Sequence, residues 1–439
     1  MNVSAIQELA RMVVSLPISQ DLPQWRLNLE GRERTSLFPW RGQFSPELIE
    51  FLLDIHATED STVLDPFVGS GTTLIESARR RLACCGSEIN PAAVQFSGIA
   101  RFVSIDAERR EQILCKAQNL IDRLFGTSTL GGLFNGLAAS SNFDIRKAVR
   151  TLLQEASPEA LLHNVITVSV MMAMGNGDTL HVDALYRAFR RTRDVVLALP
   201  FSDRPCQVLT SDARRLPLKD RSVDLILTSP PYINVFNYHQ NYRKAMELMG
   251  WSPLDVAPSE IGANRKHRAN RFLTVIQYCI DMLEVMREMH RVLKDSGTAV
   301  ITVGRESCVL GVSFKNSQLL AMLAVGGARF RLISWHERRF RNRFGQWIYE
   351  DLLTFKPDET LSTESSEDFG RLVGTWALSS ARKRAPEQSL PYLEEAIREA
   401  DTVEASPVYR PGAVQLKLEV RHDRPWQIDL PDLPGHPIG

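Results

Sequence analysis

Short apolar runs and helix-like segments alternate through the first hundred residues. The segment Gln43 to Leu52 reads as a helix, with Ser45 suited to the N-cap and Pro46 to the first helical position. An apolar run, Val63-Leu64, follows and meets Asp65 and a glycine-bearing turn, and a helix is predicted from Thr73 to Leu82. A second run, Ala83 to Ser87, ends at Glu88, and Asn90-Pro91 opens another helix. Strands separated by helices predict an α/β fold built on a doubly wound parallel sheet.

The pattern changes from about Ile105 to Pro200. Ala148 to Leu153 and Ala184 to Phe189 carry helical period, and strand-like runs are few. This stretch reads as an inserted helical subdomain, and its Met-rich run from Val165 to Met174 reads as core. The sheet resumes with Cys206 to Thr210, ending at Ser211-Asp212-Ala213, and with Val223 to Leu227. A long loop leads to a helical pattern from Phe272 to Leu293, halted by Lys294 to Gly297. Strands are then predicted at Thr298 to Val303 and Trp347 to Phe355. Beyond Pro357 the chain turns polar and proline-rich, with a helix predicted over Leu390 to Ala400 and a strand at Val414 to Val420. The resulting organisation is a catalytic domain in two parts, 1–104 and 206–356, split by an insertion at 105–205 and followed by an extension at 357–439.

Two strand ends carry candidate chemistry. Thr228-Ser229-Pro230-Pro231-Tyr232 closes the strand at Val223. Neither proline has an N–H for a sheet ladder, so the chain leaves the sheet there with a stiff backbone. A hydroxyl at Ser229, the Pro230 carbonyl and the Tyr232 ring suit a grip on a flat base that bears an exocyclic amine. Upstream, Gly69 and Gly71 let a ligand approach the backbone, and the N–H groups of Thr72 and Thr73 face the same place. Glu88, at the tip of the next strand, stands where an acid binds two ribose hydroxyls. Asp212 is a third polar group at a strand's C-terminal end. A nicotinamide enzyme would also use such a glycine turn, but it gives Ser229 to Tyr232 no task.

Composition narrows the picture little. Lysine plus arginine and aspartate plus glutamate each number 52, so the net charge is zero. The distribution is uneven. Asn264 to Arg271 holds Arg265, Lys266, Arg268 and Arg271 without an acid, and Arg329 to Arg343 holds six arginines against Glu337. A phosphate-binding face is therefore expected in the half that carries the proline motif. The six cysteines form no CxxC pair, so neither a metal site nor a disulfide framework is expected. No apolar stretch reaches 18 residues and the start lacks a signal-peptide pattern, so a cytoplasmic protein without membrane association is expected.

Taken together, these residues resemble the amino-group DNA methyltransferases, S-adenosylmethionine enzymes that modify cytosine N4 or adenine N6. The resemblance covers roughly residues 36 to 356, apart from the helical insertion. Gln43-Phe44-Ser45-Pro46-Glu47 looks like the segment that closes over the methionine part of the cofactor. Asp65-Pro66-Phe67-Val68-Gly69-Ser70-Gly71-Thr72-Thr73 looks like the cofactor turn. Glu88-Ile89 looks like the ribose acid and the adenine neighbour, Asp212-Ala213 like the adenine amino contact, and Ser229-Pro230-Pro231-Tyr232 like the catalytic motif. The cofactor turn precedes the catalytic motif, whereas many cytosine-N4 enzymes have the two halves in the other order.

The resemblance implies methyl transfer to a base flipped out of double-stranded DNA, stacked on Tyr232. Serine before Pro-Pro-Tyr leans toward cytosine N4, with adenine N6 open and an RNA base or a protein glutamine as further substrates. Phe236, Tyr238 and Tyr242 are expected to pack. DNA recognition has three candidate homes: the insertion, the loop 233–271 and the tail. The loop is favoured through Arg265, Lys266, Arg268 and Arg271, and Arg339 and Arg341 form a second basic cluster. A cognate restriction endonuclease acting on the same site would be a partner.

Overall fold

Each interior strand sends alternate residues to opposite sides of one sheet, and a separate core forms on each side. The computed structural model describes residues 3–31, 33–40, 42–134 (backbone alone over 127–134), 144–233, 237–263, 267–342, 345–360 and 368–410. The amino-terminal part runs through α1 (Val3–Ser15), α2 (Gln24–Leu27), α3 (Pro46–His56), β1 (Thr62–Asp65), α4 (Thr72–Arg79), β2 (Ala83–Glu88) and α5 (Pro91–Gly98). Four helices follow: α6 (Ala107–Phe134), α7 (Ile145–Ala156), α8 (Ala160–Met174) and α9 (Val182–Ala198). The chain then forms β3 (Cys206–Thr210), β4 (Val223–Thr228), α10 (Arg243–Leu248), α11 (Leu273–Val292) and β5 (Leu293–Gly304). A small hairpin, β6 (Glu306–Val309) and β7 (Val312–Lys315), leads to α12 (Asn316–Gly327), β8 (Phe330–Arg341) and β9 (Trp347–Pro357). The last described helices are α13 (Asp368–Ala381) and α14 (Leu390–Arg398).

Seven strands form the main sheet in the order β3-β2-β1-β4-β5-β9-β8. The first five are parallel, β9 runs antiparallel to β5, and β8 runs antiparallel to β9. The expected doubly wound α/β sheet is therefore present. Val63, Cys84, Leu225 and Leu227 join one core with α3, α4, α5 and the helices α6 to α9. Their neighbours Leu64, Cys85 and Ile226 join the other, with α1 and α11 to α14. Helix α8 is buried along much of its length, with Val165, Ile166, Val168, Val170 and Met171 all at 0% exposure, so the Met-rich run lies in the core. Asn164 of the same helix donates to the Gln95 carbonyl at 2.8 Å and so joins the insertion to α5.

Several elements differ from the sequence expectation. Strand β5 starts at Leu293, directly after α11, so Lys294 to Gly297 lies within a strand and does not form a separate stop. Strand β8 coincides with the cluster read only as charge. It is the outermost strand, and Arg331, Arg339 and Arg341 stay exposed along it, which suits a sheet edge. The segment after 357 is more than an extension in packing terms: Phe369, Val373, Leu378 and Leu393 are fully buried in the second core. The strand proposed at Val414 to Val420 lies outside the described residues.

Candidate active site

The C-terminal ends of β1, β2, β3 and β4 meet around one cavity, the place where open α/β sheets bind ligands. Phe44, Asp65, Pro66, Phe67, Gly69, Ser70, Thr72, Glu88, Ile89, Asp212, Ala213 and Ser229 all line it. Gly71 does not line the cavity. It caps α4 in the left-handed region (φ +90°), and a Cβ there would lie 3.0 Å from Ser97 Cα, so glycine is needed to turn the chain into α4. Ser70 Oγ donates to Gln43 Oε1 at 2.9 Å and ties the turn to the segment before α3. Ser45 stands at the N-cap position, yet its side chain makes no capping bond, and its buried Oγ finds no hydrogen-bond partner among the described residues. It lines a second cleft instead.

Asp65 holds the turn together. Its Oδ1 accepts from Phe67 N (3.1 Å) and Thr228 Oγ1 (2.7 Å), and its Oδ2 accepts from Thr73 Oγ1 (2.7 Å). Burial pushes its pKa up to about 6, against the pull of these three donors. Glu88 accepts at Oε1 from the backbone N–H groups of Ile89 and Asn90, both at 2.9 Å. Burial, opposed by the backbone donors Asn90, Ile89 and Gly69 and reinforced by the charge of Glu260, pushes Glu88 up to about 7.

Asp212 departs from its expected role. Its carboxylate accepts from Arg214 N (3.0 Å), Nε (2.9 Å) and Nη2 (2.8 Å) and from Tyr409 N (2.9 Å). Four donors saturate a carboxylate, so the side chain expected to meet an adenine amine is already occupied. The loop still lines the cavity, through Ser211 and Ala213 on either side.

Ser229 also lines a larger, open cleft on the other side of the proline motif, together with Tyr232, Thr302, Gly304, Arg338 and Glu350. Pro231 faces the first cavity, and Pro230 is buried and lines neither. The Tyr232 ring lies against Gly304, where a Cβ would come 2.9 Å from its Cε2. Its hydroxyl donates to Glu350 Oε1 at 3.5 Å, and Arg338 Nε lies 3.2 Å from Glu350 Oε2. Cross-strand register explains the grouping, because Gly304 pairs with Glu350 and Glu350 with Arg338. Burial, and next the charge of Glu350, push the Tyr232 hydroxyl well up, so it stays a neutral donor.

The two basic clusters separate. Arg339 and Arg341 line the cleft and stand over the ring of the exposed Trp347, at 5.0 and 4.5 Å from its centroid. Arg268 and Arg271 are exposed but line neither cavity; between them, Asn270 bonds to Tyr392 and Glu395 of α14. These two arginines of the favoured loop are thus not part of the cleft lining, while Arg265 and Lys266 lie outside the described residues. Phe236 lies outside them as well. Tyr242 packs as expected: it stacks on Trp40 (6.4 Å, 7°) and donates to the Pro39 carbonyl at 2.7 Å. Tyr238, also expected to pack, in addition lines the first cavity.

Trp40, Ser259, Glu260 and Ile261 line the first cavity without having been anticipated. Glu260 is held by His239, whose Nδ1 lies 2.6 Å from Oε2. The only hint in the chain was Trp40, three residues before Gln43. Among the described residues no group of histidine, cysteine, aspartate or glutamate could hold a metal ion, and no helix is long and apolar enough to cross a membrane.

A sheet of this order, with a glycine turn after β1 and an acid at the tip of β2, defines a class I methyltransferase fold. Residues 20–100 and 223–404 match the N6/N4 methyltransferase family described as DNA methylase, and the chain belongs to that family. Its cofactor is S-adenosylmethionine, and the cavity fits it: Glu88 offers a carboxylate for the ribose, Ile89 and Phe67 give apolar walls, and Ser229 closes one side. The type II methyltransferase M.MjaII of Methanocaldococcus jannaschii is 36% identical over 95 residues, which is 21% of this chain and 18% of that protein. The chain therefore matches about a fifth of its relative's length. Among solved structures, a SAM-dependent methyltransferase from Methanosarcina mazei is 11% identical, covering 70% of this chain and 97% of its own at a TM-score of 0.31. An rRNA methyltransferase from Streptomyces viridochromogenes is also 11% identical, covering 77% and 94% at 0.28.

Proposed function

We propose that the protein transfers a methyl group from S-adenosylmethionine to the exocyclic amine of a base flipped out of double-stranded DNA, with cytosine N4 as the target. One observation carries this reading: Ser229 lines both the cofactor cavity and the open cleft, so one residue borders both. The cofactor supplies an activated methyl group when bound. Ser229 accepts a hydrogen bond from the amine, which favours a pyramidal nitrogen with its lone pair free. Pro230 and Pro231 keep that hydroxyl rigidly placed, and positioning of this kind is worth several orders of magnitude in rate. Tyr232, backed by Gly304, gives the base a ring to stack on. Glu88 holds the ribose, and Asp65 keeps the cofactor turn against the catalytic strand.

Serine in the first position of the motif supports cytosine over adenine. The name of the M. jannaschii relative supports a type II setting, with a restriction endonuclease of the same site as partner. The test is incubation of the protein with labelled S-adenosylmethionine and, in parallel, duplex DNA, RNA and a protein extract, followed by mass spectrometry of the labelled products. N4-methylcytosine is the expected product. N6-methyladenine would move the target to adenine, and label found only in RNA or protein would overturn the DNA reading.

A further inference from the structure

A fully paired buried polar network lies beside the cofactor cavity and joins it to the segment Ser406–Tyr409. All five N–H donors of the Arg214 guanidinium are used. Nε and Nη2 meet Asp212, Nη1 meets Asp281 Oδ1 (3.0 Å) and the Ser406 carbonyl (2.7 Å), and Nη2 also meets the Pro407 carbonyl (2.9 Å). The Arg214 and Asp281 side chains are 0% exposed and that of Asp212 is 3% exposed. Two carboxylates against one guanidinium leave an excess negative charge, and Ser406 and Tyr409 supply the missing donors. Ser406 gives its N–H (2.8 Å) and its hydroxyl (2.7 Å) to Asp281, and Tyr409 gives its N–H to Asp212 (2.9 Å). Gln277 and Arg371 hold the preceding carbonyls of Glu404, Ala400 and Val403.

We propose that the segment Val403–Tyr409 is a strap that positions the Ser211-Asp212-Ala213 wall of the cofactor cavity, with Arg214 as the positioning residue. The inference rests on reading that cavity as the S-adenosylmethionine site. Asp212 has no lone pair left for a ligand, so its contribution to binding is the placing of Ser211 and Ala213. That placing depends on Arg214, and Arg214 is satisfied only while the Ser406 and Pro407 carbonyls are docked. Undocking the strap strands two guanidinium N–H groups and removes three donors from buried carboxylates, a loss large enough to couple strap and wall. The sequence gap is nearly two hundred residues, so the coupling makes cofactor affinity sensitive to the docking of a segment remote in the chain.

The experiment measures binding of S-adenosylhomocysteine to the full chain by titration calorimetry, at a temperature well below the unfolding transition. Tyr409→Pro removes the donor to Asp212 together with the Tyr409 ring, Tyr409→Ala removes the ring alone, and both leave the Arg214–Asp212 pair in place; Arg214→Lys removes the fork. Affinity is expected to fall about tenfold in Tyr409→Pro, the equivalent of one charge-assisted hydrogen bond. At saturating cofactor, the single-turnover methylation rate should fall far less than the affinity. If Arg214→Lys does not fold, Tyr409→Pro decides. A lowered melting temperature with normal affinity in Tyr409→Pro would make the strap a structural staple and overturn the proposal. Absence of binding by the unmodified chain would instead remove the cofactor reading, and the strap's role with it.

Discussion

Thr228 donates its hydroxyl proton to Asp65 at 2.7 Å, deep between β1 and β4. The bond joins the last residue of the catalytic strand to the first residue of the cofactor turn, so the two halves of the site share one carboxylate. Thr228→Val keeps the shape and removes the donor. Asp65 would keep Phe67 N and Thr73 but lose one of three partners while fully buried. The expected cost is about 1–3 kcal/mol of folding stability, read by urea unfolding, together with weaker cofactor binding. Unchanged stability and affinity would mean that the halves are held together elsewhere.

Glu88 gives the site a pH dependence with a defined sign. Its pKa, raised to about 7 chiefly by burial, lies above the ordinary glutamate range. Ribose hydroxyls donate best to the ionised form, which grows as pH rises through 7. Cofactor affinity should therefore strengthen from pH 6 to pH 8. The span is bounded: at pH 6 about a tenth of a group with this pKa is ionised, so binding weakens by at most about tenfold there. Calorimetric titrations across this range should show the rise, and Glu88→Gln should bind weakly with a flat profile. Glu260, in the same cavity, pushes Glu88 upward, so Glu260→Gln should move the rise to lower pH.

The parts of this site that were legible in the chain are those where one short segment carries the whole signal. Asp65 to Thr73, Glu88 and Ser229 to Tyr232 sit at strand ends, and the strand–turn–helix rhythm fixes where such ends point. The pairing of Asp212 with Arg214 and Tyr409 is not legible in the chain, because Tyr409 lies nearly two hundred residues away and nothing local announces it. Glu260 and Tyr238 come from a long loop whose path depends on distant packing, such as Tyr242 on Trp40. The arginines of β8 read as a surface charge run because an edge strand with exposed cations lacks the apolar alternation of an interior one.

Gly304 offers an indirect test of the Tyr232 ring. A methyl group there would sit 2.9 Å from Cε2, so Gly304→Ala must shift the ring without removing it. Tyr232→Ala removes the stacking surface, worth about 1–3 kcal/mol for a base on an aromatic ring. Methyl transfer to DNA should drop in both variants, more in Tyr232→Ala, while cofactor affinity stays near normal because Tyr232 does not line that cavity. Tyr232→Phe keeps the ring and loses the hydroxyl contacts to Glu350, Ser229 and the Gly304 backbone, so it should keep more activity than Tyr232→Ala. Full turnover in Tyr232→Ala would remove the ring from the mechanism.

Salt dependence separates the two arginine clusters. Arg339 and Arg341 face the cleft that holds Tyr232, make no ion pair among the described residues, and are held over Trp347. Arg268 and Arg271 are exposed and do not line it, and Asn270 between them bonds to α14. A cation that contacts a phosphate contributes about 0.9 to the slope of log affinity against log salt. Arg339→Ala with Arg341→Ala should therefore flatten that slope by about 2 and weaken DNA binding most at low salt. Arg268→Ala with Arg271→Ala should leave the slope nearly unchanged. Fluorescence anisotropy with a duplex at several salt concentrations gives both slopes directly. The reverse outcome would place the DNA backbone along the loop before α11 and move the entry route for the base away from the β8–β9 hairpin.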